Sequence, residues 1–236
     1  MKIDENTYSK NADFKFDKQV TNIFDSHVRK SVPMYDEFHK ITAEMSDWFL
    51  EDGTNMYDIG SSTCEVFKNI IPRHSEKEIH YFGIDKSIDM IEKSVENKTN
   101  KNISILNADI CNEDVKIHNA SFITSILTMQ FIPKRKRLKV LKKIYEGLNI
   151  GGAFVIIEKI IGNNAKFDEI FTELYHDFKM DNGLTEVEVI GKAKAIRGVM
   201  SPNTLDENIK LMKNAGFKDV EVFFRWCNFV GIIAIK

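Results

Sequence analysis

Apolar positions in the first fifth of the chain recur at the spacing of amphipathic helices. Phe38, Ile41 and Met45 fall on one face of a helix. Pro33 interrupts the pattern ahead of them, because proline cannot continue a helix from within. We therefore predict two helices within residues 14–51, and we expect them to form an N-terminal cap over a core that is built later in the chain.

From residue 55 onward, short apolar runs alternate with helical patterns. The apolar runs read NMYDIG, IHYFGID, ISILNAD, SFITSILTMQF and AFVIIEK. Strands that alternate with helices are typical of a parallel sheet with helices on both faces. The pattern therefore predicts an α/β fold with a Rossmann-like sheet over residues 55–159.

Two features modify this alternation in the C-terminal third. Residues 160–201 carry two helical patterns, FDEIFTELYHDFK and TEVEVIGKAKAIRGVM, which predict an inserted helical lobe. The last two apolar runs, DVEVFFRW and NFVGIIAIK, are too close together for a parallel crossover and so predict an antiparallel hairpin. We expect residues 202–236 to complete the core of one domain that spans residues 1–236.

Composition narrows the classes of function. The chain has 236 residues and a formal net charge of −2, which supplies no long-range attraction for nucleic acid. The three cysteines form no CxxC pair and the six histidines show no HxxxH spacing, so we predict neither a disulfide framework nor a metal site. No apolar run reaches the roughly 18 residues of a membrane span. We therefore expect a cytoplasmic protein that binds neither membranes nor nucleic acid directly.

Acidic residues follow three successive strands, at the edge where a parallel sheet binds its ligands. Asp58 precedes Gly60 after the first strand, Asp85 ends the second, and Asp109 follows the third. A single acid in such a position would as readily cap the next helix or face solvent. Three in register favour an adenosine ligand, with Asp85 accepting from two ribose hydroxyls and Asp109 from an exocyclic amine.

The loop at Gly60 differs from a dinucleotide-binding loop. Ser62 and Cys64 stand where that loop would carry the further glycines that approach a pyrophosphate. An acid-x-glycine loop, acids after the next two strands and a terminal hairpin together resemble the class I methyltransferases. That resemblance implies the cofactor S-adenosyl-L-methionine, with its amino acid part held by the backbone of Gly60 and Ser61 and by the Ser62 hydroxyl.

Several segments together resemble a narrower family, the carboxy-S-adenosyl-L-methionine synthases. They are RKSVPMY, YDIGSS, GIDKS, KIYEGLNIGGAFVIIEK, HDFKMDNG and NFVGIIAIK, and the similarity runs from Phe14 to Lys236. These bacterial enzymes convert S-adenosyl-L-methionine and prephenate into a carboxylated cofactor for tRNA wobble-uridine modification. The resemblance implies a homodimer in which the lobe closes the active site. The cofactor-contacting positions that it implies are Tyr35, Gly60, Ser61, Ser62, Asp85, Lys86, Asp109 and Ile110.

Two cavity positions depart from that family's pattern. Ile126 stands where the family has an asparagine after the fourth strand, and it is a further cofactor-contacting position. Ala193 stands where the family has an arginine that holds the added carboxylate. Loss of one partner of a buried charge pair costs roughly 2–5 kcal/mol. We therefore predict a methyltransferase that uses ordinary S-adenosyl-L-methionine and a small acceptor, which is anionic through a phosphate or carboxylate group.

Basic residues beside Ala193 are the candidates for holding that acceptor. Lys192, Lys194 and Arg197 supply positive charge, and Tyr35 bridges cofactor and acceptor. The same charges leave open a synthase with a relocated carboxylate anchor, and they also fit ordinary exposed side chains of the lobe. A non-catalytic subunit that binds S-adenosyl-L-methionine is the remaining alternative.

Three aromatic residues near the C-terminal half are predicted to serve packing. Tyr175, Trp226 and Phe229 fall in apolar patterns of the lobe and the hairpin. The alternative is a ring that faces a cation, because an aromatic face attracts positive charge.

Overall fold

The computed structural model describes residues 18–96 and 102–236. The strands in these ranges are β1 (Asn55–Ile59), β2 (His80–Asp85), β3 (Ile103–Asn107), β4 (Ala120–Ile126), β5 (Leu148–Lys159), β6 (Asp219–Trp226) and β7 (Phe229–Ile235). The helices are α1 (Lys18–Ser31), α2 (Tyr35–Ser46), α3 (Glu65–Ile70), α4 (Ile88–Glu96), α5 (Lys134–Gly147), α6 (Ala165–Asp181), α7 (Glu186–Ala195) and α8 (Leu205–Ala215). The first four residues of the predicted cap, 14–17, lie outside the described ranges. No helix within those ranges is long and apolar enough to cross a membrane.

The strands form one mixed sheet in the order β3-β2-β1-β4-β5-β7-β6. Strands β1 to β5 pair in parallel, whereas β7 runs antiparallel to both β5 and β6. Only Cys227 and Asn228 separate β6 from β7, which leaves no room for a parallel crossover. The structure therefore confirms the predicted α/β sheet and its terminal antiparallel hairpin.

Side chains of β1 show how the sheet divides the core. Tyr57 and Ile59 are buried in an apolar cluster that includes residues of α5 and α8, and Met56 is buried in a second cluster that includes residues of α3. Successive strand residues point to opposite faces, so a strand covered on both sides requires a nearly continuous apolar run. Burial of both faces fixes the strand register, and the register decides which residues reach the carboxyl edge.

Polar caps set the starts of the two helices in the predicted lobe. The Asn164 side chain accepts a hydrogen bond from Phe167 N at 3.0 Å at the start of α6. Thr185 and Glu188 form a capping box at the start of α7, in which each side chain bonds the other's backbone N–H. Both helices therefore lie within the segment 160–201 that the sequence pattern assigns to the lobe.

A third apolar cluster joins the cap helices to the lobe. Val28 of α1, Phe38 of α2 and Tyr175 of α6 pack with Ile157 of β5 and Phe229 of β7. The rings of Tyr175 and Phe229 meet edge to face, with centroids 5.2 Å apart. This packing holds the lobe and the cap against the carboxyl ends of β5 and its neighbours.

Candidate functional site

A cavity of about 290 Å³ lies at the carboxyl edge of the parallel strands, between the sheet, the cap helices and the lobe. Open α/β sheets bind their ligands at this edge. The predicted cofactor positions all line it, and so do two lobe positions singled out in the sequence. These residues are Tyr35, Gly60, Ser61, Ser62, Asp85, Lys86, Asp109, Ile110, Ile126, Lys192 and Ala193.

The loop after β1 requires glycine at its first position. Gly60 has a φ of +78°, and a Cβ added there would overlap the Thr128 side chain. The backbone N–H groups of Gly60 and Ser61 both donate to the Ile84 carbonyl, at 2.7 and 3.2 Å. The turn is thereby tied to the end of β2, and the main chain of Gly60 forms part of the cavity wall.

Asp85 joins two loops at this edge. Its Oδ2 accepts from Ser62 N and its Oδ1 from Ser87 N, each at 2.9 Å. Burial raises the pKa of Asp85, and these backbone donors oppose the rise. Each carboxylate oxygen keeps a further acceptor direction, which a hydroxyl in the cavity can use. The predicted ribose acid is therefore held in place by the protein's own backbone.

The other two strand-end acids have different surroundings. Asp58 is 2% exposed and accepts from Thr124 Oγ1 at 2.7 Å. Burial, together with the charge of Asp85, raises the pKa of Asp58 to about 7 although the Thr124 hydrogen bond opposes the shift. Asp109 is half-buried and accepts from Cys111 N at 2.8 Å. Of these two acids, Asp109 is therefore the more accessible to a ligand.

The far end of the cavity is cationic. It lies at the end of β5. Strands β1 and β4 separate β5 from β2, which carries Asp85. The Lys159 and Lys179 ammonium groups lie 4.5 and 4.1 Å from the centroid of the Tyr175 ring, within reach of a cation–π interaction. Lys192 of α7 lines the same cavity.

Lys179 is buried, and Lys159 and Lys192 are half-buried. Burial lowers the pKa of Lys159, Lys179 and Lys192 to about 8 in each case. For Lys179 the charges of the other two lysines add to the effect of burial. Within the described ranges, no carboxylate forms an ion pair with Lys159 or Lys179. The cluster therefore provides positive charge that an anionic ligand can neutralise.

Two buried histidines, His27 and His39, also line the cavity. Burial, followed by the charges of Lys192 and Lys179, lowers the pKa of His27 to about 3. Burial lowers the pKa of His39 to about 4, and its ring packs edge-on against Tyr35 with centroids 4.7 Å apart. Both imidazoles are neutral near pH 7, so they add polar groups to the wall without adding charge.

Of the three basic candidates in the lobe, only Lys192 reaches the cavity. Lys194 lies two residues further along α7, a rotation of about 200°, and its side chain is exposed. Arg197 follows the end of α7 at Ala195, in a turn that bridges to Met200, and it is exposed as well. The structure does not bring Lys194 or Arg197 to the cavity wall.

Lys159 and Lys179 are not among the site residues that the sequence predicts, whereas for Tyr175 a ring that faces a cation is the predicted alternative to packing. Tyr175 does serve packing, as predicted. Its ring also lines the cavity, and the ammonium groups of Lys159 and Lys179 lie over it. Two signals pointed to these residues. Lys159 ends a parallel strand, as the acids do, and Tyr175 and Lys179 have the i, i+4 spacing of one helical face.

Comparisons with known proteins agree with this architecture. A family model described as a methyltransferase domain matches residues 56–152. The carboxy-S-adenosyl-L-methionine synthase of Staphylococcus epidermidis is 48% identical over 222 residues, covering 93% of this chain and 95% of that protein. The protein of the same name from Methylococcus capsulatus is 35% identical over 228 residues, covering 95% of this chain and 94% of that protein.

A solved structure shows the same fold at low sequence identity. Phosphoethanolamine N-methyltransferase 2 of Haemonchus contortus, in complex with S-adenosyl-L-methionine, matches with a TM-score of 0.67 and 14% identity. The match covers 94% of this chain and 57% of that chain. At this identity the likeness concerns the fold alone.

Proposed function

Because this chain belongs to the carboxy-S-adenosyl-L-methionine synthase family, we propose that it converts S-adenosyl-L-methionine and prephenate into carboxy-S-adenosyl-L-methionine. The chain is an enzyme of the class I methyltransferase type, and S-adenosyl-L-methionine is its cofactor. The preference for ordinary methyl transfer in the sequence analysis depends on a lobe that lacks a carboxylate anchor. The lysine cluster is a candidate for such an anchor and therefore weakens that preference.

The residues at the sheet edge fit an adenosyl ligand. Asp85 keeps an acceptor direction on each carboxylate oxygen for the two ribose hydroxyls. Asp109 uses one oxygen for Cys111 N, which leaves the other for an exocyclic amine. Gly60 has no side chain that would keep a ligand from its backbone. These residues would hold the nucleoside part while the rest of the cavity receives the reacting groups.

The observation that carries the proposal is the position of Lys159, Lys179 and Lys192 in the same cavity as those acids. Prephenate has two carboxylates, and the carboxylated product has one more carboxylate than S-adenosyl-L-methionine. Both species therefore need cationic partners when they leave water, since an unpaired buried carboxylate is strongly disfavoured. The lysine cluster would supply such partners in the cavity that the cofactor acids also line.

The atoms of the proposed reaction balance without a further reactant. The bond between the prephenate ring and its carboxyl group breaks, and its electron pair aromatises the ring and expels hydroxide. The carboxyl carbon forms a new bond to the methyl carbon, whose lost proton combines with the hydroxide as water. Phenylpyruvate is the remaining product. The protein's part is to align the reactants and exclude water, and it supplies no covalent group.

A single assay tests the proposal. The purified chain is incubated with S-adenosyl-L-methionine and prephenate, and the products are identified by mass spectrometry, with omission of prephenate as the control. We expect carboxy-S-adenosyl-L-methionine and phenylpyruvate in equal amounts. Absence of both products, with an enzyme shown by calorimetry to bind S-adenosyl-L-methionine, would contradict the proposed reaction.

Methyl transfer to a small anionic acceptor is the second candidate function. The observation in its favour is that Ile126 and Ala193 both line the cavity with side chains that carry no polar atom. In the same assay, phosphate- and carboxylate-bearing acceptors replace prephenate. Formation of S-adenosylhomocysteine in proportion to a methylated acceptor would favour this candidate over the synthase.

A further inference from the structure

We propose that Lys159 and Lys179, which face the ring of Tyr175, form together with Lys192 of the same cavity a carboxylate-binding subsite that holds the carboxylate newly added to the cofactor. The inference rests on the proposed function, because that function supplies the carboxylated product. It assigns to three lysines the role that a single arginine at position 193 would otherwise have. Ala193 lines the same cavity but brings no charge to it.

The Tyr175 ring fixes where the two nearest ammonium groups lie. Lys159 approaches it from the end of β5, and Lys179 approaches it from one turn further along α6. A lysine side chain has several rotatable bonds, and a ring that attracts its ammonium limits that freedom. The ring therefore holds two cations near each other in the absence of a protein carboxylate.

Charges on the surrounding elements support binding of an anion. From α1, His27 lines the cavity as a neutral imidazole on whose pKa the charges of Lys192 and Lys179 act. From the lobe, Asp168 is the acid whose charge acts on Lys159. Glu188 also lines the cavity, but its Oε2 accepts from both Thr185 N and Thr185 Oγ1 in the capping box. The positive charges outnumber the acids that face them, so a carboxylate is favoured here.

The test compares affinities for two ligands that differ by one carboxylate. Calorimetry measures binding of carboxy-S-adenosyl-L-methionine and of S-adenosyl-L-methionine to the wild type, Lys159→Met, Lys179→Met and Lys192→Met. We expect each substitution to weaken binding of the carboxylated ligand by about tenfold or more, since a hydrogen bond to a charged group contributes roughly 1.5–3 kcal/mol. Affinity for S-adenosyl-L-methionine should change by less than about twofold.

Two exposed lysines of the lobe are matched controls. Lys194→Met on α7 and Lys166→Met on α6 remove the same charge from the same helices but away from the cavity. Both should leave the ratio of the two affinities unchanged. Lys179→Arg keeps the charge and should retain most of the preference, which separates loss of charge from loss of packing.

Substitutions of Tyr175 test the role of the ring itself. Tyr175→Phe keeps the aromatic face and should keep the preference for the carboxylated ligand. Tyr175→Leu removes that face and should reduce the preference, by about twofold to tenfold for a cation–π contribution of roughly 0.5–1 kcal/mol or somewhat more. Thermal unfolding of each variant shows whether its fold is intact.

The subsite and the proposed function can fail separately. If carboxy-S-adenosyl-L-methionine forms but the lysine variants keep the wild-type ratio of affinities, the subsite is refuted and the function stands. If no carboxylated product forms but the lysines still confer the preference, the function is refuted and the subsite stands. Equal losses for both ligands in every lysine variant would also refute the subsite, because the lysines would then act on the common part of the ligand.

Discussion

The two ends of the cavity hold their charged groups in opposite ways. At the β2 end, the Asp85 carboxylate accepts two backbone N–H groups and is satisfied before any ligand arrives. At the β5 end, the ammonium groups of Lys159 and Lys179 face an aromatic ring, and no described carboxylate pairs with them. The first end is therefore a rigid frame, and the second is a site whose positive charge an anion can compensate further.

The two arrangements indicate which part of the site provides affinity and which provides discrimination. A carboxylate that the backbone holds in place loses little entropy when it accepts ribose hydroxyls, so it supplies binding to any adenosyl ligand. Buried lysines favour ligands by charge, so they distinguish ligands that differ in a carboxylate. Substitutions at the two ends should accordingly change different measured quantities.

Substitution of Asp85 should have the largest effect. Asp85→Ala removes two charge-assisted hydrogen bonds to the ribose, at roughly 1.5–3 kcal/mol each, so we expect affinity for S-adenosyl-L-methionine to fall on the order of 10²- to 10⁴-fold. Calorimetry measures this loss. Carboxylated and ordinary cofactor should lose affinity by the same factor, because the ribose is common to both.

Asp85→Asn is the matched control for this prediction. It keeps the shape of the side chain but only one acceptor oxygen, so one of the two backbone N–H groups, that of Ser62 or that of Ser87, loses its acceptor, and affinity should still fall less than in Asp85→Ala. Unchanged affinity in Asp85→Ala, with cooperative unfolding intact, would remove Asp85 from the ligand site. A loss confined to the carboxylated cofactor would break the comparison between the two ends.

A pair of glycine substitutions tests how tightly the β2 end is packed. Gly60 and Gly151 have nearly the same φ, +78° and +80°, but only at Gly60 would a Cβ overlap a neighbour, the side chain of Thr128. Both substitutions to Ala add backbone strain of roughly 1 kcal/mol. Gly60→Ala also overpacks the loop, which costs about 1–3 kcal/mol more.

Urea unfolding measures the two glycine variants side by side. We expect Gly60→Ala to lose about 2–4 kcal/mol of unfolding free energy and Gly151→Ala about 1 kcal/mol. Gly60→Ala should weaken binding of both cofactors, and Gly151→Ala neither. Equal losses of stability would mean that the Thr128 side chain moves aside freely and that the frame is less rigid than its hydrogen bonds indicate.

The same comparison explains how much of the site the sequence could predict. Asp85 and Gly60 lie in short local patterns at strand ends, and strand order alone brings such ends together. The cluster of Lys159 and Lys179 has local signals within each segment, but their meeting depends on how the lobe packs over β5, which those signals do not encode. On α7, the rotation of the helix decides which lysine faces the cavity. Lys192 lines it, whereas Lys194, two residues later, does not.

The fold was more predictable than the site for a related reason. The alternation of apolar runs and helical patterns reports the sheet directly, and the two-residue connection between β6 and β7 forces their antiparallel pairing. The burial of lysine at the β5 end of the cavity depends on how the lobe packs, which the composition of residues 160–201 does not reveal. Lys179, for example, is 8% exposed although it lies in a helix whose other lysine, Lys166, is exposed.

The smallest expected effect is the pH dependence of stability that Lys179 causes at the β5 end of the cavity. Burial, with the charges of Lys159 and Lys192, lowers the pKa of Lys179 to about 8 in the folded protein, against about 10.5 for an unfolded lysine. Between these values the folded state binds fewer protons than the unfolded state. The contribution of Lys179 to the unfolding free energy therefore rises as pH increases from about 8 to about 10.5, because the buried charge is lost.

Thermal unfolding of ligand-free wild type and Lys179→Met at pH 7 and pH 9.5 tests this sign. Methionine does not titrate, so only the wild type gains stability at this position when the pH rises. The Tm of Lys179→Met relative to that of the wild type should therefore be lower at pH 9.5 than at pH 7. We expect a movement of a few degrees, at about 2–4 °C per kcal/mol for a chain of this size. Lys166→Met, exposed on the same helix, is the matched control for loss of a lysine from α6. If the Lys179→Met difference does not depend on pH, the ammonium is not held in a dry site, and the contrast between the two ends of the cavity would not stand.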